Sequence, residues 1–278
     1  MVVASSLATS QQPGDAPLIT GRAYRVADLF RALLLISAND AAVALTEATG
    51  SFGKGMALIN AEARHLQAYD VVAKLPNGLP AAGQVTSAYD EALIARQALA
   101  MPAFMKYDST LSARFEIRRH DWETLVNQDA LLTQYRGDLG GKPGWTVSSE
   151  ATYVGLARRH GVTLIVSVLH CRPLHEITSA ERLLNWGFAM NGKAAPVGEL
   201  VPPLSTPNPG TALDARGATT PAPRPKPTPA ELAASQPSAG ASTGSYALMA
   251  GGALAAALGL IALMRARRRR VARQRRPQ

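Results

Sequence analysis

The sequence predicts an α/β domain of the α+β type: an antiparallel sheet flanked by helices, with a helical subdomain. Three stretches carry that expectation. Residues 29–45, LFRALLLISANDAAVAL, read as two apolar helical runs broken at Ser37-Ala38-Asn39-Asp40. The glycine-rich segment Gly140-Gly141-Lys142-Pro143-Gly144-Trp145-Thr146 leads into alternating apolar segments at 152–157 and 162–169. Arg158-Arg159-His160-Gly161 supplies the turn between those two, so the three together read as a meander with Lys142 entering its first strand. Residues 178–191 then form an amphipathic helix, with Leu183, Leu184, Trp186 and Phe188 available to cover the sheet.

The remaining elements follow in chain order. Residues 2–6 suit a short strand, and 11–20 a loop turning at Pro13-Gly14. Helices are expected at 26–36, 39–48 and 52–66, the last with Met56, Leu58 and Ile59 at core spacing. Residues 70–83 are irregular, carrying Pro76, Gly78, Pro80 and Gly83. A helix spans 87–99, with Ser87 as its cap and Asp90 and Glu91 in its first turn.

Two sets of residues invite a chemical reading. Ser, Asn and Asp compete with the backbone for hydrogen bonds, so Ser37, Asn39 and Asp40 suit a joint between helices. Between two buried runs such a joint is either a satisfied cap or a set of groups put to use. Lys142 beside Gly144 places a cation next to accessible backbone, which suits a carboxylate lying along a strand edge. The alternative for Lys142 is a solvated strand end.

In order, these motifs resemble the serine-type D-alanyl-D-alanine carboxypeptidases, the low-molecular-weight penicillin-binding proteins. The superfamily carries Ser-x-x-Lys, Ser-x-Asn and Lys-Thr-Gly motifs. Ser37-Ala38-Asn39 matches the second, and Lys142-Pro143-Gly144 the third with Pro for Thr. The surrounding SANDAAVAL, PNGLP, ARRHGVTLIVSVL and LLNWGF segments are similar too, so the resemblance covers residues 1–200. It implies a β-lactamase/transpeptidase-like fold, with short strands and loops at 100–135. Asn127 matches the family there, whereas Gln128 and Asp129 depart from its pattern. The implied activity is removal of the terminal D-alanine from peptidoglycan stem peptides through an acyl-enzyme, without a cofactor or metal. By matching motif, the catalytic roles fall to Ser37, Asn39 and Lys142. Lys142, Gly144, Trp145 and Thr146 are the substrate-binding set, with the Trp145 N–H as half of an oxyanion hole. β-Lactams are the implied acylating inhibitors if a nucleophile is present.

Two departures matter. Pro143 brings neither the hydroxyl nor the N–H of the family threonine. The nucleophile motif is expected ahead of Ser-x-Asn, yet the one Ser-x-x-Lys in the chain, Ser51-Phe52-Gly53-Lys54, follows it. Ser51 reads as a helix cap and Lys54 as a first-turn surface residue. The N-terminus also has no basic, then apolar, export signal. The expectation is therefore an N-terminally truncated domain, inactive alone and marginal in stability, with apolar surface exposed on the sheet and on residues 29–45. A non-catalytic module binding peptidoglycan peptides is the alternative, and a β-lactamase of the same superfamily a third reading.

Composition completes the outline. The net charge is +9, but eight arginines lie within 265–276, leaving +1 for the rest, so a nucleic-acid partner is not expected. The lone Cys171 excludes an intrachain disulfide, and the five histidines show no metal-ligand spacing. Four parts are expected: the partial carboxypeptidase-like domain 1–200, a disordered Pro/Ala-rich linker 201–244, a transmembrane helix 245–264 and a basic cytoplasmic tail 265–278. The uncharged run 246–264 would rise about 28 Å as a helix, against roughly 30 Å of bilayer core. The domain would then sit outside the cell membrane on a single-pass anchor.

Overall fold

The computed structural model describes residues 1–12 and 14–205. Pro13 and the expected transmembrane helix and basic tail lie outside the described residues, as does the linker from 206 on. Among the described residues no helix is long and apolar enough to cross a membrane.

A helical layer comes first. Strand β1 (Val2–Val3) pairs antiparallel with β2 (Ala23–Tyr24), and the short helix α1 (Ser6–Thr9) lies between them in sequence. Helix α2 (Val26–Ile36) buries Leu29, Phe30, Ala32, Leu33, Leu34 and Leu35, apolar over most of its circumference, as a core helix must be. Helix α3 (Asn39–Glu47) packs against α2, and the small side chains it buries, Ala41, Ala42 and Ala44 among them, permit close approach. Helix α4 (Phe52–His65) starts at Ser51, whose Oγ accepts the Lys54 N–H at 3.1 Å. Both serine caps expected from the sequence are present: Ser87 Oγ accepts the Asp90 N–H at the start of α5 (Ala88–Leu99). Asp90 and Glu91 are buried there, however, and do not serve as surface counter-charges to the helix dipole.

The 100–135 stretch holds a helix, α6 (Pro102–Asp108), as well as the expected short strands β3 (Ser112–Arg118) and β4 (Asp121–Val126), which form an antiparallel hairpin. A single turn, α7 (Leu131–Gln134), follows. The main sheet is the expected meander of β5 (Asp138–Thr146), β6 (Glu150–Arg159) and β7 (Val162–Cys171), in the order β5-β6-β7. Helix α8 (Glu176–Met190) covers one face, and α5 packs on β6 and β7.

Three expectations need correction. Residues 29–45 expose no apolar patch: Leu29 and Leu35 are fully buried, and of the apolar side chains only Ile36 is part-exposed. The β3–β4 hairpin and α6 close over α2, with Phe30 against the Tyr107 ring at 5.5 Å between centroids. Of the four side chains expected to cover the sheet, Leu183 and Trp186 point away, at 48% and 60% exposure. The covering face of α8 is Ile177, Ala180, Leu184 and Phe188, and residues one and two steps off that stripe turn outward. The chain also stays docked past residue 200. Arg96 holds the Leu200 and Val201 carbonyls, and the Leu204 N–H donates to the His65 carbonyl at 2.8 Å.

Candidate functional site

The break between α2 and α3 is a backbone feature before it is a chemical one. Ser37 ends α2 in the left-handed conformation, φ 57° and ψ 36°. For a residue with a Cβ this costs about 1–2 kcal/mol. It lets the Ala38 N–H reach back to the Ala32 carbonyl and starts α3 at once. The turn aims Ser37 Oγ at β5, where Lys142 Nζ donates to it across 105 residues of sequence. Ser37 in turn donates to Gln128 Oε1 at 3.2 Å. The structure thus brings together the leading residues of the second and third motifs.

Asn39 is placed differently. It opens α3, is buried, and donates through Nδ2 to the Gln12 carbonyl at 3.3 Å, while its Oδ1 is buried without a partner. Asp40 is structural: its carboxylate accepts the Leu18 and Ala41 N–H groups, both at 2.7 Å. Burial raises its pKa, and those two bonds oppose the rise.

Lys142 is 5% exposed, far from a solvated strand end. Burial lowers its pKa to about 8, while Asp108 and then Asp129 pull it back up. Three aspartates cluster here, and sequence reasoning passed over Asp108 and Asp138. Asp108 ends α6 and lies against the Cα of Gly140, whose φ of 130° and lack of a Cβ make room for it. Burial raises the Asp108 pKa to about 7; Asp129 and Asp138 add to the rise and Lys142 opposes it. Asp138 also reaches about 7, through burial first and Asp129 second. The Asp129 pKa is likewise raised by burial, against the hydroxyl of Tyr153, which donates to its Oδ1 at 3.0 Å. One ammonium cannot balance two buried carboxylates and a half-buried third, so this group holds protons near neutral pH. Gly141 and Gly155 let Tyr153 lie across β5 and β6, since a Cβ at either would collide with it. Gln128 and Asp129 were visible in the sequence only as departures from the family pattern. Asp138 had a faint signal, a charge at the head of a glycine-rich strand; Asp108 had none.

Strand geometry places the residues expected to meet a substrate. The Gly144 carbonyl accepts from the Thr152 hydroxyl on β6 at 3.3 Å, so Pro143, one residue back, faces away from β6; its carbonyl accepts from Lys142 Nζ at 3.2 Å. N–H and C=O of one strand residue point to the same side, so the missing Pro143 N–H falls at the open edge of β5, where proline is tolerated. Two residues on, the Trp145 N–H faces that same edge. Gly144, Trp145 and Thr146 are half-buried. Trp145 and Thr146 line a pocket of about 460 Å³, with Val71, Leu75 and Val85 on the opposing loop. A cavity of about 40 Å³ reaches Lys142 and Asp108 from the α5 side. Glu91 lines both; burial raises its pKa to about 8.

Ser51 and Lys54 are elsewhere. Both are exposed at the start of α4, with Ser51 Oγ committed to its own helix. No metal-binding group of histidine, cysteine or carboxylate side chains occurs among the described residues.

Comparison with known proteins gives one answer. A family model described as D-alanyl-D-alanine carboxypeptidase matches residues 2–172. The chain is 35% identical over 206 residues to the D-alanyl-D-alanine carboxypeptidase DacB2 of Mycobacterium tuberculosis, covering 72% of this chain and 70% of that one. It is 26% identical to DacF of Bacillus subtilis, over 61% of this chain and 44% of the relative. Among solved structures, a D-alanyl-D-alanine carboxypeptidase from Mycobacterium tuberculosis superposes with a TM-score of 0.65 at 34% identity, covering 73% of this chain and 77% of that one. A mutant Streptomyces DD-transpeptidase, at 23% identity and a TM-score of 0.63 over 68% and 79% of the two chains, shares the fold.

Proposed function

The chain belongs to the D-alanyl-D-alanine carboxypeptidase family, and from that premise we propose that the Ser37–Lys142 pair is its site for peptidoglycan stem peptides ending in D-alanyl-D-alanine. The observation that carries this is the hydrogen bond from Lys142 Nζ to Ser37 Oγ, which joins two motifs 105 residues apart.

The roles follow from position. A peptide lying along the open edge of β5 meets Lys142, whose ammonium takes the terminal carboxylate. The Trp145 N–H faces the same edge and stabilises the oxyanion as the scissile carbonyl becomes tetrahedral; such donors contribute about 3–4 kcal/mol to catalysis. Ser37 Oγ, in contact with Lys142, passes protons between the attacking group and the leaving amine. Asn39 Oδ1, buried and unpartnered, is the acceptor available for a peptide N–H. Pro143 offers no hydroxyl to the substrate carboxylate, so Lys142 bears more of that contact than a Lys-Thr-Gly motif would ask of it. In the family's chemistry a serine adds to the carbonyl carbon, the amide bond breaks, D-alanine leaves with a proton on its nitrogen, and water hydrolyses the ester. β-Lactams imitate the first half of that sequence.

A second reading has its own support. Ser51 is the serine of the chain's Ser-x-x-Lys match, and it caps a helix at the surface. On that observation the chain alone binds the peptide without acylation, as a peptidoglycan-peptide binding module. Residues 246–264 and the arginines after them would tether it to the membrane, with the domain outside. The test is intact-mass analysis of the full chain after exposure to a β-lactam, with the folded state checked by circular dichroism. Folded protein without an adduct is the expected result. A stoichiometric adduct mapped to a serine of this chain would replace the binding reading with a self-sufficient enzyme.

A further inference from the structure

The tripeptide Asn127-Gln128-Asp129 reaches the Asp108 backbone, Ser37 and Tyr153, one through each residue. Asn127 Nδ2 donates to the Asp108 and Thr110 carbonyls, both at 3.0 Å, and its Oδ1 accepts the Asp129 N–H at 2.9 Å. Asp129 accepts from Tyr153 and, at 3.0 Å, from the Leu131 N–H. Between them, the Gln128 N–H donates to the Leu35 carbonyl at 3.0 Å, one of the carbonyls left over at the end of α2. The side chain of Gln128 is therefore carried on a backbone pinned at both neighbours and at α2 itself.

That side chain decides where the Ser37 proton lies. A hydroxyl has one proton and two lone pairs. Lys142 Nζ takes up a lone pair of Ser37 Oγ, and Gln128 Oε1 stands 3.2 Å away as the acceptor for the proton. We propose that Gln128 is a positioning residue that holds the Ser37 hydroxyl proton pointing away from Lys142, so that the serine can receive a proton from the lysine but cannot give it one until the Gln128 bond breaks. The amide side chain does not titrate, so the proton waits on Ser37 and goes no further. Arrival of a substrate group that competes for Ser37 or Gln128 releases it. This rests on the reading of Ser37 and Lys142 as the peptide site, and it assigns the direction in which that pair passes protons.

The consequence reaches Lys142 directly. While the lysine is an ammonium, it donates to Ser37 and the arrangement is satisfied. Once neutral it becomes an acceptor, and the natural donor is the same hydroxyl, which Gln128 withholds. Gln128 therefore favours the charged lysine. The other ionisable groups facing Lys142 are Asp108 from α6, Asp129 from the turn before α7 and Glu91 from α5; Asp138 and Tyr153 act through Asp129 and Asp108. None of these changes when Gln128 is altered.

The experiment is a pH titration of the Lys142 side chain by NMR in the full chain, with Lys142→Met to assign its signal. Gln128→Met keeps the length and removes the acceptor; Gln128→Ala removes both. Each is expected to lower the Lys142 midpoint by roughly half to one pH unit, the worth of one hydrogen bond. An unchanged midpoint in folded Gln128→Met overturns the proposal, because a merely structural glutamine would leave the lysine alone. Failure of the functional reading looks different: the midpoint moves as expected, yet the wild-type chain binds no D-alanyl-D-alanine peptide.

Discussion

Two serines in this chain stand at helix ends, 14 residues apart, and they have opposite fates. Ser51 precedes α4 in extended backbone, φ −165°, gives its oxygen to the helix it starts, and is exposed. Every feature of it favours the fold. Ser37 follows α2 in the left-handed region, where a residue with a Cβ is strained, and it is buried. Its backbone N–H still closes α2 on the Leu33 carbonyl, but its hydroxyl gives nothing to the helix and goes to Lys142 and Gln128. Strain at a residue whose side chain meets a buried cation is what a site looks like, and a relaxed, self-satisfied serine is what a cap looks like. Sequence spacing treats the two alike, and backbone conformation separates them.

The largest effect that separates the two regions is expected from pH. Glu91, Asp108 and Asp138 hold protons in the folded state up to about 8, 7 and 7, against 4.5, 3.8 and 3.8 as ordinary values. Between those limits the folded state binds more protons than the unfolded one, so stability falls as pH rises from about 4 to about 8. Lys142 has the opposite sign. Its pKa is lowered from 10.5 to about 8, so above pH 8 the unfolded state holds the extra proton and the lysine's share of stability rises with pH. Urea melts from pH 4.5 to 10 should show a fall to a minimum near 8. A maximum at neutral pH would mean that the cluster is not buried as described.

Next in size is the lysine itself. Lys142→Met leaves the buried Asp108 and Asp129 without their cation and should cost about 3–5 kcal/mol, the usual cost of breaking a buried charge set. Lys54→Met, in the Ser-x-x-Lys match, should stay within about 0.5 kcal/mol by the same melts. A smaller contrast lies in the backbone. Ser37→Gly should be more stable than Ser37→Ala by roughly 1 kcal/mol, since glycine accepts the left-handed turn without a Cβ penalty. Ser51→Ala should lose about 1 kcal/mol, the usual worth of a serine cap, and leave ligand binding untouched. Equal stability of the two Ser37 variants would remove the strain from the comparison.

How much of this could be read beforehand depends on the kind of signal. Periodicity marked α2, α3, α4, α5 and the three-stranded meander well, because each buries one clear face or a whole circumference. The caps Ser51 and Ser87 were legible from residue type alone. The Ser37–Lys142 contact was legible only through resemblance, since no local pattern joins residues 105 apart. Helix α6 escaped notice: PAFMKYD is too short for a period to show, and its proline sits at the start, where it marks a helix as readily as a turn. The aspartates escaped because burial of a charge is a tertiary fact. Asp108 ends a helix, as countless exposed aspartates do, and only the closing of β5 over it makes it unusual. Trp186 misled for the converse reason. It is apolar and lies on an amphipathic helix, but it sits two residues from both Leu184 and Phe188, outside the stripe of Ile177, Ala180, Leu184 and Phe188.

The most direct measurement is calorimetric titration of the full chain with an N-acylated peptide ending in D-alanyl-D-alanine, for the wild type, Lys142→Met and Lys54→Met. Saturable binding is expected in the wild type and Lys54→Met, weakened tenfold or more in folded Lys142→Met, the worth of a charge-assisted bond to a carboxylate. Undiminished affinity in Lys142→Met, or loss in Lys54→Met, would move the site away from Ser37 and contradict the assignment.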